Sequence, residues 1–278
     1  MVSALAFESA GRRVGSLSLN IIRLVLGLGI LTGYAAITRP TALPLDASAH
    51  TWGWLTVSGL IGFVLGDYCL FRAFVEIGPR LSSLLMTSTP VWAAIIGLLV
   101  LGESMTATQL GAMSLVVSGI AWAVSERHPE DTRPRPHPKG VAFALLGSVG
   151  QAAGLILSKL GMGDYDPFAA TQIRVFAGIL GFAAVCSFAG WWPKVAAALR
   201  DRGAMIATGV GAVFGPFLGV SLSLISVQRA SNAGVAATLM SVTPVLLIPA
   251  VMLRGERVGV GGVLGTLLAV VGSALFFL

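Results

Sequence analysis

Charged residues in this chain are confined to short stretches between apolar segments of about 20 residues, the length that carries an α-helix across ~30 Å of hydrocarbon. Read against that punctuation, nine spans are expected, near 17–38, 53–75, 81–101, 106–124, 140–160, 168–190, 203–227, 233–253 and 259–278. Residues 1–9 read as a tenth, cut short. One stretch is distinctly polar: in "SERHPEDTRPRPHPKG", 125–140, alternating prolines impose an extended backbone and charges of both signs keep it in water. It reads as a linker between two halves.

The halves repeat one another. "STPVWAAIIGLLVLGE" at 88–103 is echoed by "VTPVLLIPAVMLRGE" at 242–256, "NIIRLVLG" at 20–27 by "TQIRVFAG" at 171–178, and Gly62/Gly66 by Gly211/Gly215/Gly219. Arg23 therefore stands opposite Arg174, and Thr89-Pro90 opposite Thr243-Pro244. The unit has five spans. Because five is odd, the second copy enters the membrane from the other side, an inverted repeat about an axis in the membrane plane. The expected fold class is all-α and polytopic: two inverted five-helix repeats, 1–125 and 140–278, joined by a linker at 126–139, with nine complete transmembrane helices and a partial first one. On this register Met1 aligns near Ala152, so the first copy is short by about a dozen residues and the chain is expected to start late. Mass spectrometry of the native N-terminus checks this.

Composition agrees with a bilayer. The chain of 278 residues is 55% hydrophobic and 11% charged, with a mean hydropathy of +0.87, outside the usage of soluble domains. The net charge of +6 comes from basic residues scattered at the ends of apolar runs, without the compact patch that nucleic acid requires. Cys69 and Cys186 lie inside apolar runs and read as small interior residues, not as a disulfide or zinc site.

At "GDYCLFRAFVEIGPRLSSLLMTSTPVWAAIIGLLVLGE", 66–103, and its echo at 219–256, the chain resembles the drug/metabolite transporter superfamily, the EamA-type exporters of two five-helix repeats. Similar proteins carry Ala or Gly near a span end, Pro early in the next helix and a closing Gly-Glu. The resemblance extends over essentially the whole chain and implies a central cavity, a small-molecule cargo and a bacterial inner-membrane location. Its departure is the shortened first span, which in the family helps to line the cavity.

Asp67 is the most informative residue. It lies well past the middle of its span, where a carboxylate costs ~2.5–3.5 kcal/mol unless paired, protonated or hydrated. Two readings stand: an ion pair with Arg72 or an arginine of another span, or a cavity-facing carboxyl that couples transport to protons. Arg23 and Arg174, one and a half turns inside their spans, either snorkel to the headgroups or neutralise Asp67 or an anionic cargo. Gln151, Tyr68 and Trp92 are candidates for a polar and aromatic lining, against interhelical bonding for Gln151 and packing or lipid contact for the two aromatics. Pro90, Pro216 and Pro244 remove amide donors and bend their helices. Ser88, Thr89, Ser241 and Thr243 can satisfy the carbonyls so freed, beside the cavity or simply within a packed kink. Glu103 and Glu256 read as caps, and the glycines as packing seams.

Arg12, Arg13, Arg72, Arg80, Lys139, Lys194, Arg200, Arg202, Arg254, Arg257 and the linker arginines fall on one membrane face, and Arg39, Lys159 and Arg229 on the other. The positive-inside rule makes the first face cytoplasmic and leaves the C-terminus outside, whereas the family resemblance implies both termini inside.

The leading function is a secondary transporter, working by alternating access, of a small metabolite, an amino acid or a drug-like compound. No nucleotide-binding loop supports primary pumping. With His50, His128 and His137 outside the spans and neither H-E-x-x-H nor G-x-S-x-G present, an intramembrane enzyme has no base or metal site, and no cofactor is implied. A non-transporting membrane scaffold is the alternative.

Overall fold

The computed structural model describes residues 2–102, 106–125, 137–229 and 259–275, and all regular structure among them is helical. In chain order the elements are α1 (Val2–Val14), α2 (Ser16–Thr38), α3 (Ala49–Gly59), α4 (Tyr68–Met86), α5 (Thr89–Leu101), α6 (Ala107–Ser125), α7 (Pro138–Met162), α8 (Pro167–Phe188), α9 (Trp192–Ala198), α10 (Arg202–Ala212), α11 (Ser221–Arg229) and α12 (Val260–Leu275). Helix starts follow local chemistry: Ser48, Asp166 and Asp201 accept the amides of Thr51, Ala169 and Ala204 at 3.1, 2.8 and 2.9 Å, while Pro138 and Pro167 open α7 and α8 where no amide is needed. α2, α7, α8 and the continuous rod Arg202–Arg229 are each long and apolar enough to cross a bilayer. The rod Ala49–Met86 with α5 forms one bent pair, at 53°.

One break, at Thr87-Ser88, falls inside the expected span 81–101, whereas those at Gly15 and Gly78 lie in the gaps between expected runs. Gly15 and Gly78 both adopt φ 80°, a left-handed conformation that glycine tolerates, and so separate α1 from α2 and bend the chain just before Pro79. The expected spans near 53–75 and 81–101 are thus a bent rod, a break at Thr87-Ser88 and a separate α5. Two π-helical segments also appear, Leu60–Asp67 between α3 and α4 and Val213–Val220 between α10 and α11. They occupy matched positions in the two copies. Expectations for Glu103, Ser241, Thr243, Pro244 and Glu256 lie outside the described residues.

Spans of the first copy pack antiparallel on spans of the second. Along α2 and α8, Trp191 Nε1 donates to Ser18 Oγ (3.1 Å) at one end and Gln172 Nε2 donates to Thr32 Oγ1 (3.3 Å) at the other. α1 crosses α10, with Phe7 against Gly211 and Arg13 against Gly203. The counterpart crossing sets α7 on α3, the π-segment and α4: a Cβ on Gly150 would stand 2.7 Å from Gly66 Cα, and one on Gly154 3.0 Å from Gly62 Cα. α6 and α12 meet at Gly119 and Gly265. First span on third, second on second, third on first and fifth on fifth is the exchange that an inverted twofold requires. Only glycine allows backbones this close.

Polar contacts gather at the two ends of the bundle. At one end Arg13 bonds Asp201 (3.0 Å), Arg72 bonds Glu76 (3.0 Å) and the Lys194 ammonium stands 3.5 Å from the centre of the Trp191 ring. At the other, Arg39 bonds Asp46 (2.7 Å), Tyr165 donates to the same carboxylate (2.9 Å), and Gln228 donates to the carbonyls of Gly163 and Tyr165.

Candidate functional site

Between the copies lies a cavity of about 450 Å³, walled by α1, α2, the first π-segment, α4 and α5 on one side and by α7, the second π-segment and α11 on the other. Asp67 closes the first π-segment at its wall, buried at 5% exposure. One carboxylate oxygen pairs with Arg23 Nη2, and the other accepts a hydrogen bond from Gln151 Nε2 at 2.6 Å. Arg23 is held in turn by Asn20 Oδ1 (3.1 Å), and Asn20 Nδ2 is anchored on the Ser16 carbonyl (2.9 Å). The Arg23 guanidinium stands 4.7, 5.4 and 5.8 Å from the ring centres of Phe71, Phe7 and Phe63. A cation in that position is stabilised by ring quadrupoles as well as by its carboxylate.

Arg174, the counterpart of Arg23, is equally buried, at 3%. It does not snorkel. Its guanidinium lies 5.1 Å from the centre of Phe63, and a Cβ added to Gly62 or Gly154 would fall 3.1 or 3.3 Å from Nη2. Among the described residues its Nε has no hydrogen-bond partner. The buried ionisable acidic and basic side chains among the described residues are thus two arginines, one from each copy, and one aspartate. Where the first copy has Asp67 at the end of its π-segment, the second has Val220.

The remaining sequence candidates divide. Thr89 and Gln151 line the cavity with Asp67. Tyr68, one residue and therefore about 100° around the helix from Asp67, faces a separate lateral groove. Ser88 Oγ turns to Ser148 Oγ (3.0 Å) on α7. Trp92 is not among the lining residues, and its indole nitrogen is buried with no partner among the described residues. Arg72 pairs with Glu76, not with Asp67; it lies more than a turn closer to the end of the bundle. Pro90 lies in the first turn of α5, and its missing amide would have met the carbonyl of Met86, which instead accepts from Thr89 Oγ1 at 2.7 Å. Pro216 sits buried in the second π-segment, where a Cβ on Gly27 would come 2.9 Å from its ring.

The aromatic part of the lining was not foreseen: Phe7, Phe63, Phe71, Phe74 and Phe214. Counting from Asp67 at helical spacing would have found three of them, since 63, 67, 71 and 74 share one face. Ser3 and Ala4 of α1, Ser83 of α4, and Ser223 and Ser226 of α11 complete much of the remainder.

The sequence pattern of the EamA-like transporter family matches residues 2–125 and 138–278. A solved structure titled only "Crystal structure of protein" superposes over 99% of this chain and 93% of that chain, with a TM-score of 0.58 and 16% sequence identity, a likeness of fold. No match is found among curated proteins.

Proposed function

The chain belongs to the EamA-like transporter family, a family of multi-pass membrane transporters rather than enzymes, and on that premise we propose that it is a secondary exporter of a small metabolite, amino acid or drug-like compound from the cytoplasm across the inner membrane. The observation that carries this reading is the cavity itself: about 450 Å³, in the size range of small-molecule sites, with walls from both copies. Two antiparallel bundles that rock about such a space open it to one side and then the other. Fitting cargo are compounds with an apolar or aromatic body and a few polar groups, matched to Phe7, Phe71, Phe74 and Phe214 and to the hydroxyls of Ser83 and Ser226.

Asp67 is the proposed coupling group. Protonation would release Arg23, and the neutral carboxyl would leave two like-charged arginines, Arg23 and Arg174, on opposite copies. Their repulsion favours separation of the copies along that face. Deprotonation draws them back.

The deciding experiment is flux into proteoliposomes under an imposed pH gradient, screened over amino acids and small amphipathic metabolites. A transporter gives uptake of at least one compound, reduced by Ser226→Trp, which fills the cavity, and made insensitive to pH by Asp67→Asn combined with Arg23→Gln. Absence of flux for every compound, with no cargo-dependent thermal shift, favours a membrane scaffold instead. Flux with an unaltered pH profile in the double variant removes Asp67 from coupling.

A further inference from the structure

A second hollow, of about 770 Å³, opens on the outside of the bundle between α2, the first π-segment with α4, and α8 with the turn into α9. It has no part in the central cavity, and its two ends differ in chemistry. The apolar end is walled by Val64 and the buried Phe182, with Leu60, Leu65 and Val185 exposed along its mouth. The polar end, at the arginine-rich face of the bundle, presents Ser16, Tyr68, Arg72 and Trp191.

Those polar groups are incompletely used. Arg72 gives Nη2 to Glu76 but forms no other hydrogen bond among the described residues, and its side chain is 44% exposed. Neither the Tyr68 hydroxyl nor Ser16 Oγ has a hydrogen-bond partner among the described residues. Lys194, on the Trp191 ring, is exposed and without an acidic partner there. From Arg72 to Leu60 is twelve residues of nearly continuous helix, roughly 15–18 Å, which is the depth of one leaflet of a ~30 Å hydrocarbon layer. A tyrosine with a free hydroxyl beside a tryptophan already bonded to Ser18, with a cation above them, is the pattern of an interfacial anchor, here lining a recess.

We infer that this groove binds one anionic phospholipid of the leaflet on the arginine-rich side. The phosphate sits on the free edge of Arg72 and the Tyr68 hydroxyl, Lys194 adds a second positive charge, and an acyl chain runs down the wall formed by Leu65, Val64 and Leu60. Charge selects the occupant: the described side chains at this end include Arg12, Arg13, Arg72, Lys139, Lys194, Arg200 and Arg202 against Glu8, Glu76 and Asp201, a surplus that attracts anionic lipid. A bound lipid would brace α2 and α8, the central antiparallel pair of the two copies.

The test uses full-length protein delipidated in detergent, with thermal unfolding followed after adding dioleoyl phosphatidylglycerol, dioleoyl phosphatidylcholine or glycerol 1-phosphate. The expected result is a rise in Tm of roughly 5 °C with phosphatidylglycerol at saturating concentration, a small one with phosphatidylcholine and none with the headgroup alone. Native mass spectrometry should find one lipid per chain. Arg72→Gln should remove the preference for the anionic lipid, and Leu65→Trp, which fills the groove without touching the charge, should reduce binding of both. Glu76→Gln, which breaks the same ion pair but leaves Arg72 free, should retain or strengthen the preference. Equal shifts from the two lipids, an unchanged preference in Arg72→Gln, undiminished lipid binding in Leu65→Trp, or a mass of two chains in place of chain plus lipid would overturn the proposal.

Discussion

A carboxylate at 5% exposure inside an apolar bundle is tolerated because each of its oxygens has a partner: the Arg23 guanidinium on one, the Gln151 amide on the other. Removing either member of a buried pair strands the other charge, at a cost of about 3–5 kcal/mol, whereas removing both is often close to neutral. Asp67→Asn and Arg23→Gln alone are therefore expected to lower the unfolding temperature, and the double variant to recover most of the loss. Thermal melts of the three proteins in one detergent measure this, and independent, additive losses would mean that the pair contributes nothing. Asp201 makes a different prediction. The backbone amide of Ala204, and then Arg13, hold its carboxyl below the ordinary carboxylate range. Its hold on the start of α10 is complete above the unfolded value near 3.9 and is lost as pH falls through the lower folded one. Hydrogen-exchange protection of the Ala204 amide should drop on acidification below about pH 4, and Asp201→Asn should make it independent of pH. The depth of Asp67, Arg23 and Arg174 in the membrane was legible in the sequence, because depth follows from counting residues. Which of them meet was not, because that depends on the rotation of each helix, and a single residue step separates cavity-facing Asp67 from groove-facing Tyr68.

Helix ends and helix seams carry most of the element-level specificity. Thr87, Ser88 and Thr89 each bond back to the carbonyl three residues earlier, at 2.6, 2.7 and 2.7 Å, and so satisfy the groups left open at the bend before α5. The Thr-Pro signal of this bend was legible in the sequence, although the apolar count ran the span 81–101 through Thr87-Ser88; the bend at Gly78-Pro79 falls in the gap left between that span and 53–75. The π-segments were not legible: Gly59, Gly62 and Gly66 read as one flat packing face, and nothing in their spacing distinguishes a wide turn from a regular one. The glycine seams permit a sharp comparison. A Cβ on Gly265 would stand 2.7 Å from both the Gly119 carbonyl oxygen and the Ala123 amide, while one on Gly209 meets nothing within 4 Å. Gly265→Ala should destabilise by about 1–3 kcal/mol, and Gly209→Ala should be neutral or slightly stabilising, since alanine favours the helix by up to ~1 kcal/mol. Equal effects in denaturation of the two variants would mean that α6 and α12 do not pack as described.

At the scale of the molecule, the twofold was readable from repeated words in the sequence, and the antiparallel pairing of α2 with α8 and α1 with α10 follows from it. The cavity between the copies could be anticipated only as a place, because its aromatic wall draws on α1, α4 and the second π-segment together. The charge asymmetry of the two ends predicts an orientation: the end with Arg13, Arg72 and Lys194 faces the cytoplasm. In intact cells a membrane-impermeant maleimide should label Asp164→Cys and spare Lys194→Cys, both exposed, one in a turn and the other on the short α9, at opposite ends of the bundle, and both free of interference from the buried Cys69 and Cys186. The reverse labelling would place both ends the other way round. The paired π-segments, Leu60–Asp67 and Val213–Val220, also record a history. Their presence at matched sites makes the wide turn a property of the repeated unit, common to both copies. Asp67 faces Val220 across the same twofold, so the acidic residue was gained or lost after the doubling, and the two descendants stopped being interchangeable at that residue.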